Sequence, residues 1–187
     1  MTNTGGSAED DRRDGRGIGT RLRDLASGGR KTAAHAVGVN SPLDVLGEWD
    51  MAATTAGFFE RPRVDSAHLT FRSSDPREVD FAIDLIRRGR PVRVAAMVPT
   101  TPDSQGLYTW KGRGAMFIVA RSKWGLACSD DGTVAAIHHP ATMSSDAGAV
   151  VILRSDVDRS TARRRVESSL SSLRLSRSDF IDLSWRL

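Results

Sequence analysis

Two tryptophans and four cations crowd the run YTWKGRGAMFIVARSKWG, residues 108–125. Trp110 stands beside Lys111 and Arg113, and Trp124 follows Arg121 and Lys123. Indole faces stack on bases while neighbouring cations hold phosphates, so this composition fits contact with a single-stranded nucleic acid. If residues 115–121 form one strand, a rise of roughly 3.3 Å per residue separates the two basic ends by about 20 Å. They would then make two contacts along a bound strand. The competing reading packs both indoles in the core and leaves the cations in turns.

Other reactive residue types are sparse. Arg159, Arg163, Arg164 and Arg165 form the densest cationic cluster of the folded part, with Asp156, Asp158 and Glu167 near enough in sequence to pair with some of them. A salt-bridged surface helix, a phosphate site and a subunit contact all fit that pattern. His138 and His139 are adjacent, so on a strand they point to opposite faces and cannot easily chelate one ion. Neither HxxxH nor CxxC spacing occurs, and no metal or other cofactor is expected. The glycines of GRG (112–114) and GRGIG (15–19) lack the strand–turn–helix setting of a phosphate loop. No GxSxG, triad or carboxylate pair is recognisable, so the expectation is a protein that is not an enzyme. Cys128 is the single cysteine; it forms no intramolecular disulfide and reads as a small buried apolar residue.

These residues must be positioned by a domain that the pattern places at residues 42–187. PLDVLGEWDMA (42–52) has helical spacing of Leu43, Leu46 and Trp49. Residues 64–71 alternate as a strand. Asp75, Pro76 and Glu78 have the form of an N-cap, a first-turn proline and a capping box. With Val79, Ala82, Ile83 and Ile86 on one stripe and Gly89 as terminator, they predict a helix over 76–88. Strands are expected at 92–98, 107–110, 115–121, 124–129, 133–138 and 149–153, with Asp131 and Gly132 marking a hairpin turn. Ala162, Val166, Leu170 and Leu173 predict a helix over 160–174, with a strand as the alternative, and FIDLSW (180–185) fits a last edge strand. Six or seven short strands and two main helices give a mainly-β or α+β single domain.

Residues 1–41 differ sharply in composition. They are rich in Gly, Ser and Arg and lack apolar periodicity, which predicts a flexible arm. After Glu9, Asp10 and Asp11 the arm turns basic through Arg12, Arg13, Arg16, Arg21, Arg23, Arg30 and Lys31. Such arms commonly bind polyanions, and a net charge of +4 is compatible with an anionic partner. The 27 basic residues are almost all arginine, which pairs with phosphate bidentately but is also what a GC-rich genome encodes. No apolar run approaches the roughly 18–20 residues that span a membrane, and no signal peptide is recognisable. The expectation is a soluble protein of a reducing compartment.

Two further segments carry a resemblance. AVVILRSDVD (149–158) resembles a late core strand followed by Ser and Asp, and RPVRVAAMVP (90–99) resembles a core strand ending in a proline loop, in the small coat proteins of tripartite plant RNA viruses (the bromovirus and cucumovirus kind). Those proteins also begin with an Arg-containing arm. The resemblance implies a jelly-roll fold, self-assembly into a homo-oligomeric shell, RNA packaging by the arm, and a location in the virion or the host cytoplasm. The alternatives are a non-enzymatic interaction or regulatory module, or a viral movement or accessory protein.

Overall fold

The structure, a computed structural model, describes residues 40–56, 59, 64–87, 89–113, 121–141 and 146–186. The chain enters through a short 3-10 helix, Pro42–Val45, capped by Ser41 and Asp44 in a reciprocal box: the Ser41 amide donates to Asp44 Oδ2 at 2.8 Å. Eight strands follow in sequence: β1 (Gly47–Thr54), β2 (Val64–Asp75), β3 (Glu78–Arg87), β4 (Arg90–Pro99), β5 (Tyr108–Gly112), β6 (Arg121–Cys128), β7 (Val134–His139) and β8 (Gly148–Arg154). Each pairs antiparallel with the next. The sheet closes because β1 bonds to β2 through Gly47–Asp50 and to β8 through Trp49–Thr54, with a register shift between Met51 and Ala53. A closed barrel leaves none of these strands as a free edge.

Alternation sorts the residues. Val79, Phe81, Ile83 and Leu85 of β3 lie opposite Val98, Ala96, Val94 and Val92 of β4, while Asp84 faces Arg93. The first set lines the barrel and the second faces water, as the period of two requires. A second apolar layer lies outside. The 3-10 turn Arg159–Thr161, helix α1 (Ala162–Ser168) and helix α2 (Arg177–Asp182) lead to a two-residue strand β9 (Ser184–Trp185), which bonds to Ala53 and Thr54 of β1. Ala162, Val166, Leu173, Leu175, Phe180 and Leu183 cover the outward side chains of β1, β7 and β8. Under that cover the outward residues Ala52, Ala53, Val134, Ala136, Ala149, Val151 and Leu153 are apolar too.

Several expected elements are corrected. The helix over 76–88 is the β2–β3 hairpin and strand β3. Asp75 does accept a hydrogen bond two residues on, from the Arg77 amide at 2.7 Å, but it closes a turn rather than capping a helix. Gly89, with φ of +68°, turns β3 into β4. EVDFAIDLI satisfies a period of two as well as a helical stripe, and pairing with β2 and β4 decides the matter. The helix expected from Pro42 stops at Val45, and Trp49 belongs to β1. The helix over 160–174 is limited to Ala162–Ser168, and 180–185 is the end of α2 followed by β9 rather than one edge strand. The Asp131–Gly132 turn stands where expected, with φ of +65° at Gly132. Residues 115–120 of an expected strand lie outside the described residues.

Candidate functional site: the mouth end of the barrel

The two ends of the barrel differ. At one end the Trp49 indole N–H donates to the Val45 carbonyl at 2.7 Å, and the Tyr108 hydroxyl donates to the Asn40 carbonyl at 3.0 Å. The Cys128 amide donates to Asn40 Oδ1 at 3.1 Å. Arg154 crosses beneath, its Nη1 donating to the Leu46 carbonyl at 2.9 Å and its guanidinium lying 4.7 Å from the Trp49 ring centre. Gly47, with φ of +121°, makes that crossing possible, since a Cβ there would sit 2.7 Å from Arg154 Nη1. Asn40 and the 3-10 helix thus plug this end. The lining above it is solid: Trp49, Phe71, Val79, Val98, Tyr108, Leu126 and Ile152 are fully buried.

Toward the other end cover is lost unevenly: Val64, Leu85 and Val150 of the inward rows stay buried and Phe59 packs on the inner cluster, whereas other inward residues are less covered. Ile83, Val94, Trp110 and Ile137 are half-buried, and Val92 is 40% exposed. Ser122, opposite Trp110 in register, and His139, opposite Gly148, add polar groups to this rim. The links β1–β2, β3–β4, β5–β6 and β7–β8 all leave from this end, and each includes residues outside the described set. An eight-stranded barrel has an interior wide enough either to be filled by side chains or to hold one small ligand. Here the plugged half is filled and the mouth half presents partly exposed apolar side chains on a concave wall.

Near the mouth His139 is distinctive. Its Nε2 is enclosed and has no hydrogen-bond partner. Burial lowers its pKa, against an opposing hydrogen bond to Pro140. Proline has no N–H, so that interaction runs from the ring to the Pro140 carbonyl. A Cβ on Gly148 would meet His139 Nε2 at 3.0 Å and Thr55 Oγ1 at 3.1 Å. His138 points the other way, outward, with Nε2 2.8 Å from the Leu173 carbonyl. Its pKa is also lowered by burial, partly offset by that bond and by Asp179.

The residues singled out in the 108–125 run are divided by the barrel wall. Trp110 and Trp124 face inward: Trp110 meets Phe81 edge-on with centroids 6.1 Å apart, and Trp124 packs on Tyr108 at 5.7 Å. Lys111 and Lys123 alternate with them and face outward, where Lys123 bonds Asp103 at 2.7 Å. That bond, with the Leu107 amide, pulls the Asp103 pKa down. Arg113 pairs with Asp80. Arg121 opens β6, opposite Lys111. The structure therefore brings the indoles together but not the indoles with the cations. Arg12, Arg13, Arg16, Arg21, Arg23, Arg30 and Lys31 lie outside the described residues. In the other cluster, Arg159 bonds Asp50 at 3.0 Å and Arg165 bonds Asp131 at 3.2 Å, while Arg163 lies over Phe180 and Trp185. The partners of Arg159 and Arg165 are barrel carboxylates rather than the neighbouring Asp156, Asp158 and Glu167. Cys128 is half-buried, and burial pushes its thiol up to about 12.

Sequence reasoning missed the Gly47–Trp49–Arg154 crossing and the His139–Gly148–Thr55 niche. The first left one signal, an arginine ending the buried strand AVVILR; the second left none.

Among solved structures the chain is similar to lobster apocrustacyanin A1, at 9% identity over 78% of each chain with a TM-score of 0.56. It is also similar to apocrustacyanin C2, at 9% identity over 77% of each chain with a TM-score of 0.55. The fold is a lipocalin-like barrel. The siderocalin Ex-FABP overlaps 67% of this chain and 86% of its own, at 13% identity and a TM-score of 0.48. No protein-family model and no curated protein sequence matches the chain.

This architecture overturns the coat-protein reading. A jelly roll wraps two sheets through Greek-key crossings, whereas here every strand of β1–β8 pairs with its sequence neighbour. The similarity of 149–158 and 90–99 to coat-protein strands reflects one buried strand, β8, and one half-covered strand, β4, a pattern any barrel shares. The shell, the virion location and the packaging of RNA go with it. Among the described residues no helix is long and apolar enough to cross a membrane, and no three His, Cys, Asp or Glu side chains group as a metal site.

Proposed function

We propose that the chain binds one small, predominantly apolar molecule in the mouth half of its barrel, as a binding protein rather than an enzyme. The observation that carries this reading is a partly uncovered apolar patch on the inner wall. Ile83, Val94, Trp110, Ile137 and Val92 keep apolar surface exposed there, although Val64, Leu85 and Val150 beside them are buried, whereas the lining at the plugged end is sealed. Leaving apolar area in water forgoes about 25 cal/mol per Å², which an apolar guest recovers by covering it. Mouths of β-barrels are recurrent ligand sites, with a mostly apolar lining and a few polar groups that orient the guest. The lipocalin-like fold supports the reading by supplying a cup closed at one end.

The test is a titration with the neutral fluorophore N-phenyl-1-naphthylamine. Saturable binding near one equivalent is expected, with energy transfer from tryptophan that Trp110→Phe reduces. Ile137→Lys, which places a charge on the inner wall, should weaken binding at least tenfold while the barrel stays folded by circular dichroism. Absent or non-saturable binding refutes the proposal, as does a folded Ile137→Lys variant that binds unchanged.

A further inference from the structure

The niche over Gly148 narrows the class of ligand, an inference that rests on the barrel-mouth reading above. His139 lies on the inner row of β7 after Ala135 and Ile137, paired with Gly148 of β8. Its ring is half-buried as a whole, yet Nε2 is enclosed against Gly148 with no partner. A buried polar atom left unpaired is costly, and such atoms are uncommon enough that each calls for a reason. The absence of a side chain on Gly148 is what admits the ring edge, since a Cβ would sit 3.0 Å from Nε2. Thr55 flanks the same spot; its Oγ1 accepts from the Ala149 amide at 2.9 Å and still carries a proton to donate. A hydroxyl and an imidazole acceptor therefore lie against the same glycine on a mostly apolar rim.

We propose that His139 is the anchor for the polar head of the ligand, and that the ligand is an apolar molecule ending in a neutral hydrogen-bond donor, such as a hydroxyl. The ring swings from Gly148 into the mouth and accepts the head-group proton at Nε2. Nε2 gives up no hydrogen bond when it leaves its niche, so the swing costs the ring only its interaction with the Pro140 carbonyl. With Nε2 unpaired, it is the nitrogen left to accept. Burial keeps the imidazole neutral near pH 7.5, so an anionic carboxylate, which can only accept, is the poorer guest. Thr55 offers the donor that the head-group oxygen needs in return.

The experiment displaces bound N-phenyl-1-naphthylamine at pH 7.5 with 1-decanol, decanoate and methyl decanoate, using wild-type protein and the His139→Leu and His139→Gln variants. Decanol should compete best against the wild type. His139→Leu should weaken decanol roughly fivefold to tenfold, the worth of one hydrogen bond, and leave methyl decanoate unchanged. His139→Gln, which retains an acceptor, should recover most of the loss. Equal losses for decanol and methyl decanoate would make His139 a packing residue and overturn the proposal. So would decanol affinity unchanged in folded His139→Leu, or decanoate outcompeting decanol. A wild-type protein that binds the fluorophore but ignores the head group defeats this inference alone. One that binds no fluorophore defeats the barrel-mouth reading beneath it.

Discussion

Replacing Arg154 by alanine should open the plugged end of the barrel, and the structure sets the size of the loss. The guanidinium donates to the Leu46 carbonyl at 2.9 Å and, through Nε, to the Gly132 carbonyl at a long 3.3 Å. It also lies 4.7 Å from the Trp49 ring centre. A hydrogen bond from a charged donor is worth about 1.5–3 kcal/mol, and the longer one less. The cation–π contact adds about 0.5–2 kcal/mol. Freeing an ordered arginine returns about 1.5–2 kcal/mol of side-chain entropy. The expected net loss is about 3 kcal/mol, or roughly 6–12 °C in Tm at the 2–4 °C per kcal/mol typical of chains this size. Urea unfolding followed by tryptophan fluorescence reads it as a lower midpoint at unchanged slope. Arg154→Lys, which keeps the charge but not the fork, should lose about half as much.

Gly47 supplies the internal control for that reasoning. Part of the cost of Gly47→Ala is the collision of its Cβ with Arg154 Nη1, and the rest is the positive φ. In the Arg154→Ala background the collision disappears, so the two substitutions should couple by about 1 kcal/mol. A loss below about 1 kcal/mol for Arg154→Ala, or strict additivity with Gly47→Ala, would refute the assignment of the crossing as the tie that closes the barrel.

Three shorter predictions follow from burial. The depressed pKa values of His138 and His139 mean that the unfolded chain takes up protons first, so stability should be level above about pH 6.5 and fall as pH drops below it. His138→Gln should flatten that fall, and equal acid sensitivity of the variant in urea titrations would contradict it. Leu173→Ala removes a fully buried side chain from the cover on β7 and β8 and should cost about 2–4 kcal/mol, read by the same unfolding assay. Cys128, with its thiol pushed up to about 12, should react slowly with Ellman's reagent at pH 8 in the native state and rapidly in denaturant, whereas fast native labelling would show the thiol to be open to solvent.

What the sequence determined was local. Alternation marked β2, an unbroken apolar run marked β8, Asp131 and Gly132 marked a hairpin, and the adjacent histidines were bound to face opposite ways on a strand. Tertiary structure decided the rest, because the deciding partners are far away along the chain. Residues 78–87 carry both a helical stripe and a strand alternation, and only β2 and β4 on either side choose between them. Trp110 and Trp124 share a run with four cations, yet curvature of a closed sheet sends the indoles inward and Lys111 and Lys123 outward. The plug at the barrel end depends on Arg154 meeting Leu46, 108 positions earlier. The niche at the mouth depends on Gly148 lying between His139 and Thr55. A strand's own pattern fixes which side chains share a face; which faces enclose a space is settled only when β8 finds β1.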